Sequence, residues 1–324
     1  VMALTAMDAL LKTQPDDPAT HGFRGRVLLA KKDNAAARRS FEKAVEMNPS
    51  YIPAVAGLAS MDMAEGNPAR ARKRFEEVLV ADPKNMPALL SLARLTAATG
   101  GSAAESLTLI RKSVSANPDA LAPRLALVDF HMANDEPKKA DSAAQEALAA
   151  MPDKPELLDA AGRAQVKAGE VNQALATYGK LATLQPSSPL PYRRMADIHL
   201  ANKNTDEAVK NLRKALEIRP NLFEAQRKLV QILLGAGKTT DAIAVAREVQ
   251  GQRPNEAIGY LLEGDIHASE KRWPDAAAAY RNGIRQAPAS ELAIKLHTAL
   301  SAAGKTAEAD KATTSWLKDH PKDV

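Results

Sequence analysis

The sequence predicts an all-α solenoid of stacked helical hairpins, and three observations support it. A proline recurs at Pro15, Pro49, Pro83, Pro118, Pro152, Pro186, Pro220, Pro254, Pro288 and Pro321, at equal intervals except that one is longer and one shorter by a single position. Twelve positions before each proline stand Ala3, Ala37, Ala71, Ser106, Ala140, Ala174, Ala208, Ala242, Ala276 and Ala309. A slot that accepts only small side chains marks where two helices approach closely. The composition is rich in alanine, leucine, lysine, arginine and glutamate, all good helix formers, with only 4% aromatic residues. A period of about 34 residues means repeated helical hairpins, each contacting only its neighbours.

Each period divides into two helices of about a dozen residues. In the second, the small slot is followed four positions on by a bulky residue: Met7, Phe41, Phe75, Ile110, Tyr178, Leu212 or Tyr280. That residue fills the groove one turn from the close approach. The proline then stops the helix, often after an amide or acid, as at Asn48, Asp82, Asn117 and Gln185. In the first helix, nine positions after a proline, come Leu58, Leu92, Leu127, Met195 and Leu229, and the next residue is small at Gly25, Ala59, Ala93, Gly162, Ala196 and Gly264. Between the two helices lies a turn carrying Gly66, Gly100 with Gly101, Gly169, Gly237 or Gly304, where glycine permits the left-handed conformation that closes a helix.

These slots together resemble the tetratricopeptide repeat, whose period is the same. The resemblance covers the whole chain and implies a right-handed superhelical α-solenoid of about nine helix-turn-helix units. It reads 1–324 as a single array, with a half unit at 1–14 and nine units at 15–321. The pattern departs from the family at 100–118, where Ser106 and Ser113 take small apolar slots and one residue is inserted near Gly100. One residue is lost after Pro288, and both changes are expected to be absorbed in turns. Starting in mid-unit and ending without a polar capping helix, the chain reads as a segment of a longer array.

Gly259 to Asp265, Ser290 to Lys295, Gly304-Lys305 and Trp316 to Pro321 are similar to the repeat-rich lipoproteins of bacterial exopolysaccharide and PEP-CTERM protein-sorting systems. That resemblance implies a periplasmic array tethered to the outer membrane by a lipidated cysteine lying outside these residues.

Composition narrows the function classes. No cysteine is present, so neither disulfides nor thiolate metal sites are available, a trait that suits cytosol and periplasm equally. No run of about 18 apolar residues exists to span a bilayer. The net charge of +5 arises from 44 basic and 39 acidic residues, a modest excess over a long surface that gives no nucleic-acid footprint. The densest basic run, Arg70, Arg72, Lys73 and Arg74, reads as a solvated helix face.

No catalytic constellation emerges. Gly235 to Thr239 and Gly304 to Thr306 end like a phosphate-binding loop, but Ile232 and Ala299 stand where its first glycine belongs, and neither follows a strand. Asp129-Phe130-His131, Asp197-Ile198-His199 and Asp265-Ile266-His267 recur at every second unit. Residues two apart on a helix diverge, so these pairs read as packing rather than as catalytic or metal sites. The chain therefore reads as a non-enzyme without a cofactor.

The expected function is a scaffold that holds a protein or peptide in a groove lined by first helices, with an architectural spacer as the alternative. Positions seven and eleven after each proline should face that groove. Leu90, Arg94, Leu125 and Asp129 follow two prolines, and then come Asp159, Arg163, Arg193, Asp197 and Arg227, alternating in sign. The arginine fork suits carboxylates, so Arg163, Arg193 and Arg227 are expected to meet an acidic partner, or else to pair with Asp159 and Asp197. The lysine and asparagine pattern with which chaperone-binding relatives clamp a C-terminal carboxylate is missing.

Overall fold

The computed structural model describes residues 16–321 and Asp323; the half unit expected at 1–14 lies outside them. Among the described residues there are eighteen α-helices and no strand. Contacts divide the chain into two compact units, Val1–Glu170 and Val171–Val324.

In the first unit, α1 (Pro18–Ala30), α3 (Ile52–Ala64), α5 (Met86–Ala98), α7 (Leu121–Ala133) and α9 (Pro155–Ala168) carry the first-helix pattern. Between them run the second helices α2 (Asn34–Met47), α4 (Pro68–Ala81), α6 (Ala103–Ala116) and α8 (Pro137–Ala150). In the second unit, α10 (Val171–Leu184), α12 (Thr205–Ile218), α14 (Thr239–Gln252), α16 (Trp273–Gln286) and α18 (Thr306–Asp319) carry the second-helix pattern. They alternate with α11 (Leu190–Ala201), α13 (Phe223–Gly235), α15 (Ile258–Ser269) and α17 (Ser290–Ala302).

The small slot is where helices touch. Ala37, Ala71, Ala140, Ala174, Ala208, Ala242, Ala276 and Ala309 have no exposed surface. Ser106 occupies the same slot, buried, and satisfies its hydroxyl by donating to the Ala93 carbonyl at 3.2 Å. Phe41, one turn along α2, is completely buried, and two glycines flank it. A Cβ on Gly25 of α1 would lie 2.6 Å from its ring, and one on Gly57 of α3 would lie 2.7 Å away. The bulky slot and the small first-helix residue are thus two sides of one contact. Gly264 and Tyr280 repeat it between α15 and α16.

The turns close the first helices with the expected left-handed residue. Gly66, Gly100, Gly169, Gly237 and Gly304 all have positive φ, and after Gly66 the Asn67 N–H donates back to the Asp62 carbonyl at 2.8 Å. Where glycine is missing, Lys32, Asp135, Lys203 and Lys271 adopt the same conformation, with φ from 56° to 64°. An L side chain there costs about 1–2 kcal/mol, whereas glycine loses about 0.5–1 kcal/mol of chain entropy. Lys203→Gly or Lys271→Gly should therefore raise stability by roughly 0.5–1 kcal/mol, measured by urea denaturation. A lower midpoint would contradict the strain.

Both length changes sit in turns. The connection 99–102 between α5 and α6 accommodates Gly101, and 287–289 forms a shortened connection between α16 and α17.

Candidate peptide-binding groove

Within the first unit, a cavity of about 650 Å³ opens between α5 and α7. The cause is a run of small residues where larger ones would fill the gap: Ala93 and Ala97 on α5, Ala122, Ala126 and Ala133 on α7. Ile110 and Ser106 of α6 form the floor, and the inserted Gly101 lies at one end. Since the Ser106 hydroxyl is already satisfied, that floor presents no open polar demand.

Four residues expected in the groove, Leu90, Arg94, Leu125 and Asp129, line this one cavity. Arg94 and Asp129 are its charged residues, and they differ in state. Asp129 accepts a hydrogen bond from Arg163 of α9 at 3.3 Å. Arg94 is exposed and makes no ion pair among the described residues. The alanines and the α6 floor escape a reading of two groove positions per unit. Their signals lie in the alanine clustering and in the one lengthened interval, but only packing shows that they leave a space.

Asp159 and Arg163 lie on α9 outside the cavity, and Arg163 also reaches Asp159 at 3.3 Å. In the second unit, Arg227 pairs with Glu224 on its own helix at 3.0 Å, and Asp197 is bonded by Lys228 of α13. Arg193, on α11, is exposed without an ion pair among the described residues.

In the recurring Asp-x-His segments the acid has a physical role. Asp129, Asp197 and Asp265 each accept from a cation on the next first helix, namely Arg163, Lys228 and Lys295, the last at 2.8 Å. Asp265 also accepts from the Tyr280 hydroxyl at 2.5 Å; burial and this carboxylate push the phenol well above its ordinary range. The histidines face different surroundings. His131 is buried with Nδ1 2.7 Å from Glu136, while His267 is buried with Nδ1 unpartnered, and its burial lowers its pKa. No group of ligands able to hold a metal occurs among the described residues.

Two other sequence features resolve into structure. The Gly235 to Thr239 run connects α13 to α14, so a helix precedes it where a phosphate loop needs a strand. Lys238 lies 3.7 Å from Asp206, and the Thr239 hydroxyl bonds Glu270. The Arg70 to Arg74 run is not a merely solvated face. Arg74 and Arg70 converge with Arg38 on the fully buried Asp62, while Arg72 holds Glu76 and Glu105. Periodicity assigns faces but does not reveal a buried acid on the facing helix.

Sequence profiles described as tetratricopeptide repeat match residues 28–95, and residues 3–52 with 227–291; a further profile, SHNi-TPR, matches 192–226. The chain carries tetratricopeptide repeats. Solved structures with a similar arrangement include a tetratricopeptide repeat protein from Parabacteroides merdae, at 15% identity and TM-score 0.48, covering 77% of this chain and 98% of that one. PilF of Pseudomonas aeruginosa is 17% identical with TM-score 0.45, covering 66% and 97%. YrrB, a repeat protein with an unusual peptide-binding site, is 18% identical with TM-score 0.42, covering 58% and 96%. No curated protein matches the chain in sequence. No helix among the described residues is long and apolar enough to cross a membrane.

Proposed function

We propose that this tetratricopeptide-repeat chain is a non-catalytic scaffold that binds a segment of another protein, with the cavity between α5 and α7 as its anchoring point. The observation that carries this reading is the cavity itself: about 650 Å³, lined mainly by apolar side chains. Concave apolar sites with a few placed polar groups are where peptides and small ligands bind. Small wall residues let a partner side chain approach the backbone closely, and burying one Leu or Phe side chain contributes about 1.5–3 kcal/mol.

A random peptide-display library panned on the purified chain tests the proposal. Selected peptides should share an apolar anchor residue. Ala126→Trp, which fills the cavity from α7, should weaken their binding at least about tenfold, or about 1.4 kcal/mol, with unchanged helicity by circular dichroism. Undiminished binding to a folded Ala126→Trp chain would move the partner elsewhere and favour a spacer role.

For cellular setting, we propose the bacterial envelope, in an exopolysaccharide or protein-sorting system, with the array on the periplasmic side and anchored through a segment outside these residues. The support is the likeness of the Gly259 to Asp265 and Trp316 to Pro321 runs to lipoproteins of those systems. Fractionation of native cells should recover the protein with outer membranes; recovery in the cytosol would reject the setting without touching the groove.

A further inference from the structure

Resting on that reading of the cavity, we infer that Arg94 selects the partner's charge: the bound segment places a carboxylate, from Asp or Glu, on Arg94 while its apolar anchor enters the space between α5 and α7. The inference follows from which charges remain available. Asp129, the other charged residue of the lining, is engaged by Arg163, and Arg163 is further held by Asp159. Lys167, one turn farther along α9, is 2.9 Å from Asp135. Arg94 alone on the cavity wall is a cation without an ion pair among the described residues.

A partner therefore meets an apolar space bordered by one uncompensated positive charge. A lysine or arginine beside the anchor would be repelled by Arg94 and would have to compete with Arg163 for Asp129. A carboxylate would gain a charge-assisted bond of the kind the planar guanidinium makes best. Because Arg94 and the alanine wall share the same two helical turns of α5, the acid must lie within about one to four positions of the anchor, the reach of neighbouring side chains in a helical or extended segment. Such complementarity contributes specificity and association rate more than raw affinity.

A charge reversal tests this. The same display library is panned on the wild-type chain, on Arg94→Glu and on Ala126→Trp, each checked by thermal melting. Wild-type selections should be enriched in Asp or Glu next to the apolar anchor. Arg94→Glu should keep the apolar anchor but select Lys or Arg beside it, and each peptide class should bind the opposite chain at least about tenfold more weakly. If Arg94→Glu retains the acidic preference, or wild type shows none, while the apolar anchor persists, this inference fails and the cavity reading stands. Selections without an apolar anchor, or insensitive to Ala126→Trp, overturn both.

Discussion

Replacing Asp62 with alanine is expected to cost about 3–5 kcal/mol, the range for removing one member of a buried ion pair. Its carboxylate has no exposed side-chain surface, and it accepts from Arg38 at 3.0 Å and from Arg74, with Arg70 at 3.5 Å. Arg38 and Arg74 are themselves more than four-fifths buried; without Asp62 the Arg74 guanidinium would lose its acid, and Arg38 would keep only Glu65, at 2.9 Å. Burial by itself would raise the Asp62 pKa, but the hydrogen bonds from Arg74 and Arg38 outweigh it and hold the carboxyl below its ordinary value. A carboxyl depressed in the folded state contributes stability that is complete above its unfolded pKa, about 4, and is lost as pH falls through the folded value. Hydrogen exchange of α2, α3 and α4 should therefore rise steeply in Asp62→Ala at neutral pH, and in wild type only in acid. A variant as protected as wild type at neutral pH would show that the cluster contributes nothing net, as happens for many exposed pairs.

Phe41→Ala should cost a similar amount, about 3–5 kcal/mol, because it removes a fully buried ring whose site cannot collapse. Collapse is prevented by the residues that make room for the ring: Gly25 and Gly57 have no side chain to fill the void, and α1 and α3 stand on either side of α2. The converse change tests the same geometry. Gly25→Leu places a side chain where the Phe41 ring lies and should cost about 1–3 kcal/mol by overpacking. Combined with Phe41→Ala, it should restore part of the loss, a coupling readable in a double-mutant cycle. Strict additivity of the two changes would mean that the ring and the glycine do not share the space. Since repeat stability is nearest-neighbour in character, the rise in exchange should centre on α1 to α4 and fade toward α6.

The groove marks how far sequence periodicity reaches. Counting seven and eleven positions from Pro83 and Pro118 brings Leu90 and Arg94 of α5 and Leu125 and Asp129 of α7 to one cavity. The same count treats Arg94, Arg163 and Arg227 alike. They are not alike: Arg163 is engaged by Asp129 and Asp159, Arg227 by Glu224, and Arg94 by no acid among the described residues. Two of those acids lie on the arginine's own helix, Asp159 four positions before Arg163 and Glu224 three before Arg227, whereas Asp129 lies a full repeat from Arg163, a distance that no count along one helix contains. The Asp-x-His segments follow the same rule, since their recurrence at every second unit is visible while the cations that hold each aspartate come from the unit that follows it.

Linear spacing is enough to establish the repeat, the positions of the helix ends and the contact slots, because a methyl-sized gap, a proline stop and a glycine turn are local demands that only a few side chains meet. Packing in three dimensions is what reveals that Lys32, Asp135, Lys203 and Lys271 take left-handed turns without glycine. It also reveals that Asp62 lies buried among arginines and that an inserted residue and a cluster of alanines leave a space between α5 and α7. Those outcomes depend on how volumes and charges from separate repeats add up across helices, a sum that close packing and pairwise electrostatics set and that linear spacing does not record.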